Sequence, residues 1–169
     1  MEAKANIRGH AIHPILVVFP LGLLATSLVF DIIGKATDNG EWLLVSYYMI
    51  GAGILGGLLA AVFGLIDWLA IPRGTRASSV GLAHGLGMVG AVVFFAGSWF
   101  LRRDNPAVPE DLAIGLSAVG FLIALVSGWL GGELVERMGV SVMPGANLDA
   151  PLSLGRESPR LRAQQHHGK

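Results

Sequence analysis

The chain is a succession of long apolar stretches broken by short polar ones. Between Ile12 and Leu134 the charged residues are confined almost entirely to three interruptions, leaving four apolar runs. They cover about Ile12 to Ile33, Trp42 to Leu69, Ser78 to Leu101 and Asp111 to Val135. A hydrocarbon layer about 30 Å thick is crossed by roughly 20 helical residues at 1.5 Å each, and all four runs reach that length. The pattern predicts an all-α protein, a four-helix transmembrane bundle over residues 12–138, preceded by a short segment (1–11) and followed by a tail (139–169).

Pro14 falls in the first turn of the first run, where a missing N–H costs nothing. Pro20 falls further in and predicts a kink. The first run is too long for a secretory h-region and has no small-x-small cleavage site close behind Asp31, so a retained helix is expected. Gly34 to Glu41, Pro72 to Arg76, and Pro106 with Pro109 supply the turns. Trp42, Tyr47 and Tyr48 are placed for one membrane interface and Trp68 for the other. Gly139 to Gly145 reads as a short interfacial segment. Beyond it Pro, Ser, Arg, Gln and Gly predict a disordered tail, in which His166 and His167 are expected to be solvated.

Composition agrees with lipid rather than water as solvent. Of the 169 residues 53% are hydrophobic and 14% charged, whereas soluble domains average roughly 25% charged. The absence of cysteine excludes disulfides, thiolate ligands and cysteine nucleophiles. The zero net charge gives no sign of a nucleic-acid partner. Lysine and arginine are asymmetric: Lys4, Arg8, Arg73, Arg76, Arg137, Arg156, Arg160, Arg162 and Lys169 share one side, against Lys35, Arg102 and Arg103. The positive-inside rule then predicts both termini in the cytoplasm. Gly53 and Gly57, Gly81 and Gly85, and Gly128 and Gly132 form small-residue grooves suited to close helix packing.

Ionisable groups within spans are costly and ask for a reason. His10 and His13 open the first span on one helix face, Asp67 lies near the end of the second, His84 inside the third, and Glu133 at the end of the fourth. All five fall toward the same side. Each half of the chain reads as a hairpin with a histidine near its entry and an acid near its exit. Two such hairpins would form a bundle with an approximate two-fold axis along the membrane normal, and His13 could face His84. Glu133 has Arg137 four residues on, the favourable order for a surface ion pair. Asp67, at a helix C-terminus that disfavours negative charge, is expected to pair with Arg73 or Arg76, or with His13 or His84.

The segment Gly9-His10-Ala11-Ile12-His13-Pro14 through Phe19-Pro20-Leu21-Gly22 resembles the start of a family of small bacterial membrane proteins, domain of unknown function 2231. Gly64 to Trp68, His84, Gly131 to Val135, and Gly139 to Val142 are also similar, so the resemblance spans residues 9 to 142. Many relatives carry a histidine or aromatic residue where this chain has Glu133 to Met138, a departure that counts against a ligand role for that segment. The resemblance implies a four-span bacterial membrane protein and no particular activity; the expected location is the inner membrane.

Three functional classes follow. One is a cofactor protein holding a b-type haem between His13 and His84, with Asp67 orienting a ligand and Arg8, Arg73 and Arg76 meeting propionates. Its variant is a divalent metal on His10, His13, Asp67 and His84. The second is a non-catalytic module assembling with other membrane subunits or with itself. The third is a proton or solute conduit formed by an oligomer, using Asp67 and His84 as a relay. No enzyme constellation is present: there is no nucleophile elbow, phosphate-cradling glycine loop or zinc-protease helix.

Overall fold

A computed structural model describes residues 1–150 and 152–153. The far end of the tail, with His166 and His167, lies outside the described residues. The order is β1 (Asn6–Ile7), β2 (His10–Ala11), α1 (Ile12–Leu16), α2 (Val18–Thr37), α3 (Gly40–Leu69), α4 (Arg76–Arg102) and α5 (Asp111–Glu136). All four long helical segments, α1 with α2 counted as one, are long and apolar enough to cross a membrane. The protein is a four-helix membrane bundle.

Pro20 does more than kink the first span. Its ring has no N–H to offer Leu16 and clashes with that carbonyl, and α1 stops at Leu16. Val17 makes the joint, and α2 restarts at Val18 with Pro20 buried in its first turn. At the other end of the chain α5 closes in a left-handed turn at Gly139 (φ +64°). The Val140 N–H then returns to the Leu134 carbonyl at 2.8 Å, and Val140 packs on Leu134 and Ile71, the hydrophobic contact usual for this helix ending. The expected interfacial segment is thus partly folded against the bundle.

The bundle is apolar outside and polar within. Phe19, Leu55, Val93, Val126 and Trp129 are more than three-fifths exposed, while Ser27, Asp31, Ser46, Ser98, Arg102 and Ser117 are wholly buried. Such an inversion suits a chain surrounded by acyl chains, where polar groups must find partners inside.

Most buried positions of the two hairpins repeat one another. In α2 the buried Pro20, Leu24, Ser27 and Asp31 correspond to Ala91, Phe95, Ser98 and Arg102 in α4, each 71 positions later. In α3 the buried Ser46, Ile50, Gly53, Ala60 and Asp67 correspond to Ala113, Ser117, Gly120, Ser127 and Leu134 in α5, each 67 positions later. The two offsets differ by about one helical turn. Equivalent residues also meet one another: His13 with His84, Leu24 with Phe95, and Asp31 with Arg102. Residues related by a repeat can touch their own counterparts only near its axis, so an approximate two-fold axis runs down the bundle through these three layers.

The glycine grooves are divided between inside and outside. A Cβ on Gly53 would strike Leu24, and one on Gly81 would strike Trp68, whereas Gly85, Gly128 and Gly132 face open space. In α5 the glycines in close packing are Gly120 and Gly131 instead.

Candidate paired-histidine site

His13 leaves α1 toward α3, and His84 leaves α4 toward α5. The Nδ1 of His13 lies 2.8 Å from the Ala60 carbonyl, and the Nδ1 of His84 lies 2.7 Å from the Ser127 carbonyl. Ala60 and Ser127 are counterparts in the repeat, so one anchoring arrangement is made twice. A carbonyl only accepts, so each Nδ1 carries the proton and each Nε2 is left as the ring's lone-pair atom. One turn beyond each anchor stands a glycine that makes room for the ring. A Cβ on Gly64 would fall 2.9 Å from the Cε1 and Nδ1 of His13, and one on Gly131 would fall 3.0 Å from the Cε1 of His84. The two ring centres are 6.4 Å apart with planes at 84°. Both histidines are half-buried.

The other residues expected at this site are placed differently. His10 sits in β2, ahead of the helix rather than on a helix face with His13. It is exposed, with Nδ1 3.4 Å from the Arg8 carbonyl. Asp67 is buried but pairs with none of Arg73, Arg76, His13 or His84. Its Oδ1 accepts the Ala5 N–H at 2.8 Å, and its Oδ2 is buried without a partner. The expected salt bridge is replaced by a tether from α3 to the N-terminal segment, whose own amine donates to the Gly139 carbonyl at 2.6 Å. Among the described residues no three His, Asp or Glu side chains converge as metal ligands, so the His10, His13, Asp67, His84 set is not assembled. Glu133 does bridge Arg137, at 3.1 Å. Arg8, Arg73 and Arg76 are exposed. Arg8 sits at the tip of the β1–β2 turn in the left-handed region (φ +50°), beside Gly9 (φ +82°).

Toward the opposite end lies a second polar layer. Arg102 grips Asp31 with both terminal nitrogens, Nη1–Oδ1 at 2.6 Å and Nη2–Oδ2 at 2.8 Å. Its Nε donates to Ser98 Oγ, its Nη1 also to Ser46 Oγ and its Nη2 also to Ser117 Oγ. Both charged side chains are wholly inaccessible. A buried charge persists only when paired and fully hydrogen-bonded, and the three hydroxyls complete that requirement. In the sequence Arg102 falls just past the third apolar run, which ends at Leu101, and Asp31 falls near the end of the first. The signal that could have found them is their spacing, 18 residues after His84 and His13 respectively. Between the two layers sits an apolar plug of Leu24, Ile50 and Phe95.

Comparison with curated proteins and with solved structures gives no match. A family model described as "Predicted membrane protein (DUF2231)" matches residues 9–144. That stretch runs from the β1–β2 turn, through both histidines and the buried ion pair, to the segment folded behind α5. The chain therefore belongs to this family of membrane proteins.

Proposed function

We propose that the bundle holds a b-type haem between His13 and His84 and acts as a membrane redox protein. The observation that carries this reading is the matched pair of imidazoles, each fixed through Nδ1 and leaving Nε2 as the ligating atom. A metal-binding histidine commonly donates its other ring N–H to a carbonyl or carboxylate, which fixes both tautomer and orientation. Imidazole nitrogens bind metal at about 2.0–2.1 Å, so a metal shared by His13 and His84 would require their rings to lie close together. The separation here is 6.4 Å. Two protein donors are too few for a typical four-coordinate metal site, whereas a porphyrin brings its own equatorial nitrogens and asks the protein only for axial ligands. That favours haem over the divalent-metal variant. Haem, if bound, would supply one-electron chemistry, and His13 and His84 would be the residues that hold it.

The alternative of a non-catalytic assembly module explains the apolar exterior but gives no reason for two imidazoles to be anchored alike. We also infer the inner membrane of a bacterium, with the histidine end toward the cytoplasm. With Arg102 withdrawn into the bundle, the opposite loops keep Lys35 and Arg103, which pair with Asp111 and Asp104. Lys4, Arg8, Arg73, Arg76 and Arg137 lie at the histidine end, in keeping with the positive-inside rule.

The experiment is purification in mild detergent from haem-replete cells, followed by a reduced-minus-oxidised spectrum and hemin titration of the colourless fraction. Sharp low-spin bands, lost in His13→Ala and in His84→Ala, are expected. A wild-type protein that stays colourless after hemin titration overturns the reading.

A further inference from the structure

The buried ion pair sits on the repeat axis, and its two members occupy one and the same repeat position, Asp31 in α2 and Arg102 in α4. Around them the inner faces of the two hairpins match at some positions and differ at others, Ser46 corresponding to Ala113 and Ile50 to Ser117. Ser27 corresponds to Ser98, Gly53 to Gly120, and the apolar Leu24 to Phe95. In lipid the hydrophobic effect does not drive helices together, so association rests on close packing and polar ties. Faces that share Ser27 with Ser98 and Gly53 with Gly120 have a natural competitor to correct pairing: the same hairpin from a second copy of the chain. Asp31 and Arg102 are where the two faces differ most. We propose that they are complementary address charges, which make the inner face of the first hairpin accept the second hairpin and reject a copy of itself.

The geometry supports selection as well as stability. Because equivalent residues meet at the axis, a first hairpin paired with another first hairpin brings Asp31 against Asp31. Two second hairpins bring Arg102 against Arg102. Neither like pair has a counter-charge in the surrounding layer, which otherwise offers the hydroxyls of Ser27, Ser46, Ser98 and Ser117. Like charges juxtaposed at an interface are a recognised means of refusing wrong partners, and one buried polar group can fix register and partner choice in helical assemblies. The bidentate fork of arginine adds orientation to the match.

The test uses the full chain, expressed in membranes with two different tags and solubilised mildly. Monodisperse yield and co-purification of the two tags are measured for each variant. Asp31→Arg and Arg102→Asp each place like charges at the axis and are expected to lower monodisperse yield at least tenfold. The exchanged double variant, Asp31→Arg with Arg102→Asp, is expected to return to within about threefold of wild type. The apolar double variant, Asp31→Leu with Arg102→Leu, keeps the test decisive if the single variants do not fold. It is expected to remain folded while co-purification of differently tagged copies rises at least threefold over wild type. Single variants that match wild type, an exchanged variant no better than the singles, or an apolar variant with wild-type tag exchange each overturn the proposal.

Discussion

The two glycines behind the histidines allow a comparison within one protein. Gly64→Ala places a Cβ 2.9 Å from both Cε1 and Nδ1 of His13, closer than real Cβ contacts come. The ring has to move away by a few tenths of an ångström, and its bond to Ala60 lengthens. Overpacking a filled site costs about 1–3 kcal/mol, and a lost hydrogen bond roughly 1 kcal/mol. Against this, replacing glycine in a helix gains about 0.5–1 kcal/mol. The balance is a loss of roughly 1–3 kcal/mol. Gly131→Ala meets His84 Cε1 at 3.0 Å but Nδ1 only at 3.3 Å, so its loss is smaller. Gly128→Ala and Gly132→Ala, on the same helix with nothing within 4 Å, show the helical gain alone. Unfolding followed thermally in one detergent should rank Gly128→Ala and Gly132→Ala at or above wild type, then Gly131→Ala, then Gly64→Ala. Equal stability for Gly64→Ala and Gly128→Ala would refute the claim that these glycines exist to seat the imidazoles.

Two further outcomes follow from single contacts. A Cβ on Gly87 would overlap the Ser127 hydroxyl oxygen, so Gly87→Ala should destabilise by about 1–3 kcal/mol. Adding Ser127→Ala should recover most of that in a double-mutant cycle, while the His84 anchor, made to the Ser127 carbonyl, is retained. Asp67→Ala removes the acceptor for the Ala5 N–H, whereas Asp67→Asn keeps a carbonyl oxygen there. With a reporter cysteine at the buried Ala3, clean because the chain has no cysteine of its own, maleimide labelling should quicken in the first variant and not in the second.

The long apolar runs made the bundle legible, because a span's length is fixed by the membrane and needs no tertiary information. The histidine pair was legible for a related reason: an imidazole in an apolar helix has no solvent to explain it. The anchors were not, since backbone carbonyls carry no signature in side-chain chemistry. They become readable only when α3 is laid on α5 at an offset of 67, which pairs Ala60 with Ser127 and Gly64 with Gly131. Asp31 and Arg102 were hidden by their place near the ends of spans, where a charge is ordinarily assumed to reach water. A buried carboxylate calls for a cation by side-chain chemistry alone, but Asp67 accepts a backbone N–H from the N-terminal segment instead. His10 adjoins the apolar pattern of the first span, but the helix starts only at Ile12 and His10 lies in β2.

The spacing of the layers along the axis bears on what the bundle can do. From His13 to Asp31, as from His84 to Arg102, is 18 residues, or roughly 27 Å at 1.5 Å per residue. That nearly equals the hydrocarbon thickness of about 30 Å, so one polar layer belongs near each face of the membrane. A relay of protons or solutes would need polar groups between them. What lies between instead is Leu24, Ile50 and Phe95, at 9%, 0% and 0% exposure, contributed by three helices and closed over the axis. The two layers are therefore separate devices. One, the Asp31–Arg102 pair, is fully satisfied by its own hydroxyls. The other anchors both Nδ1 atoms to backbone carbonyls, and under the proposed haem reading its two Nε2 atoms would meet the bound group.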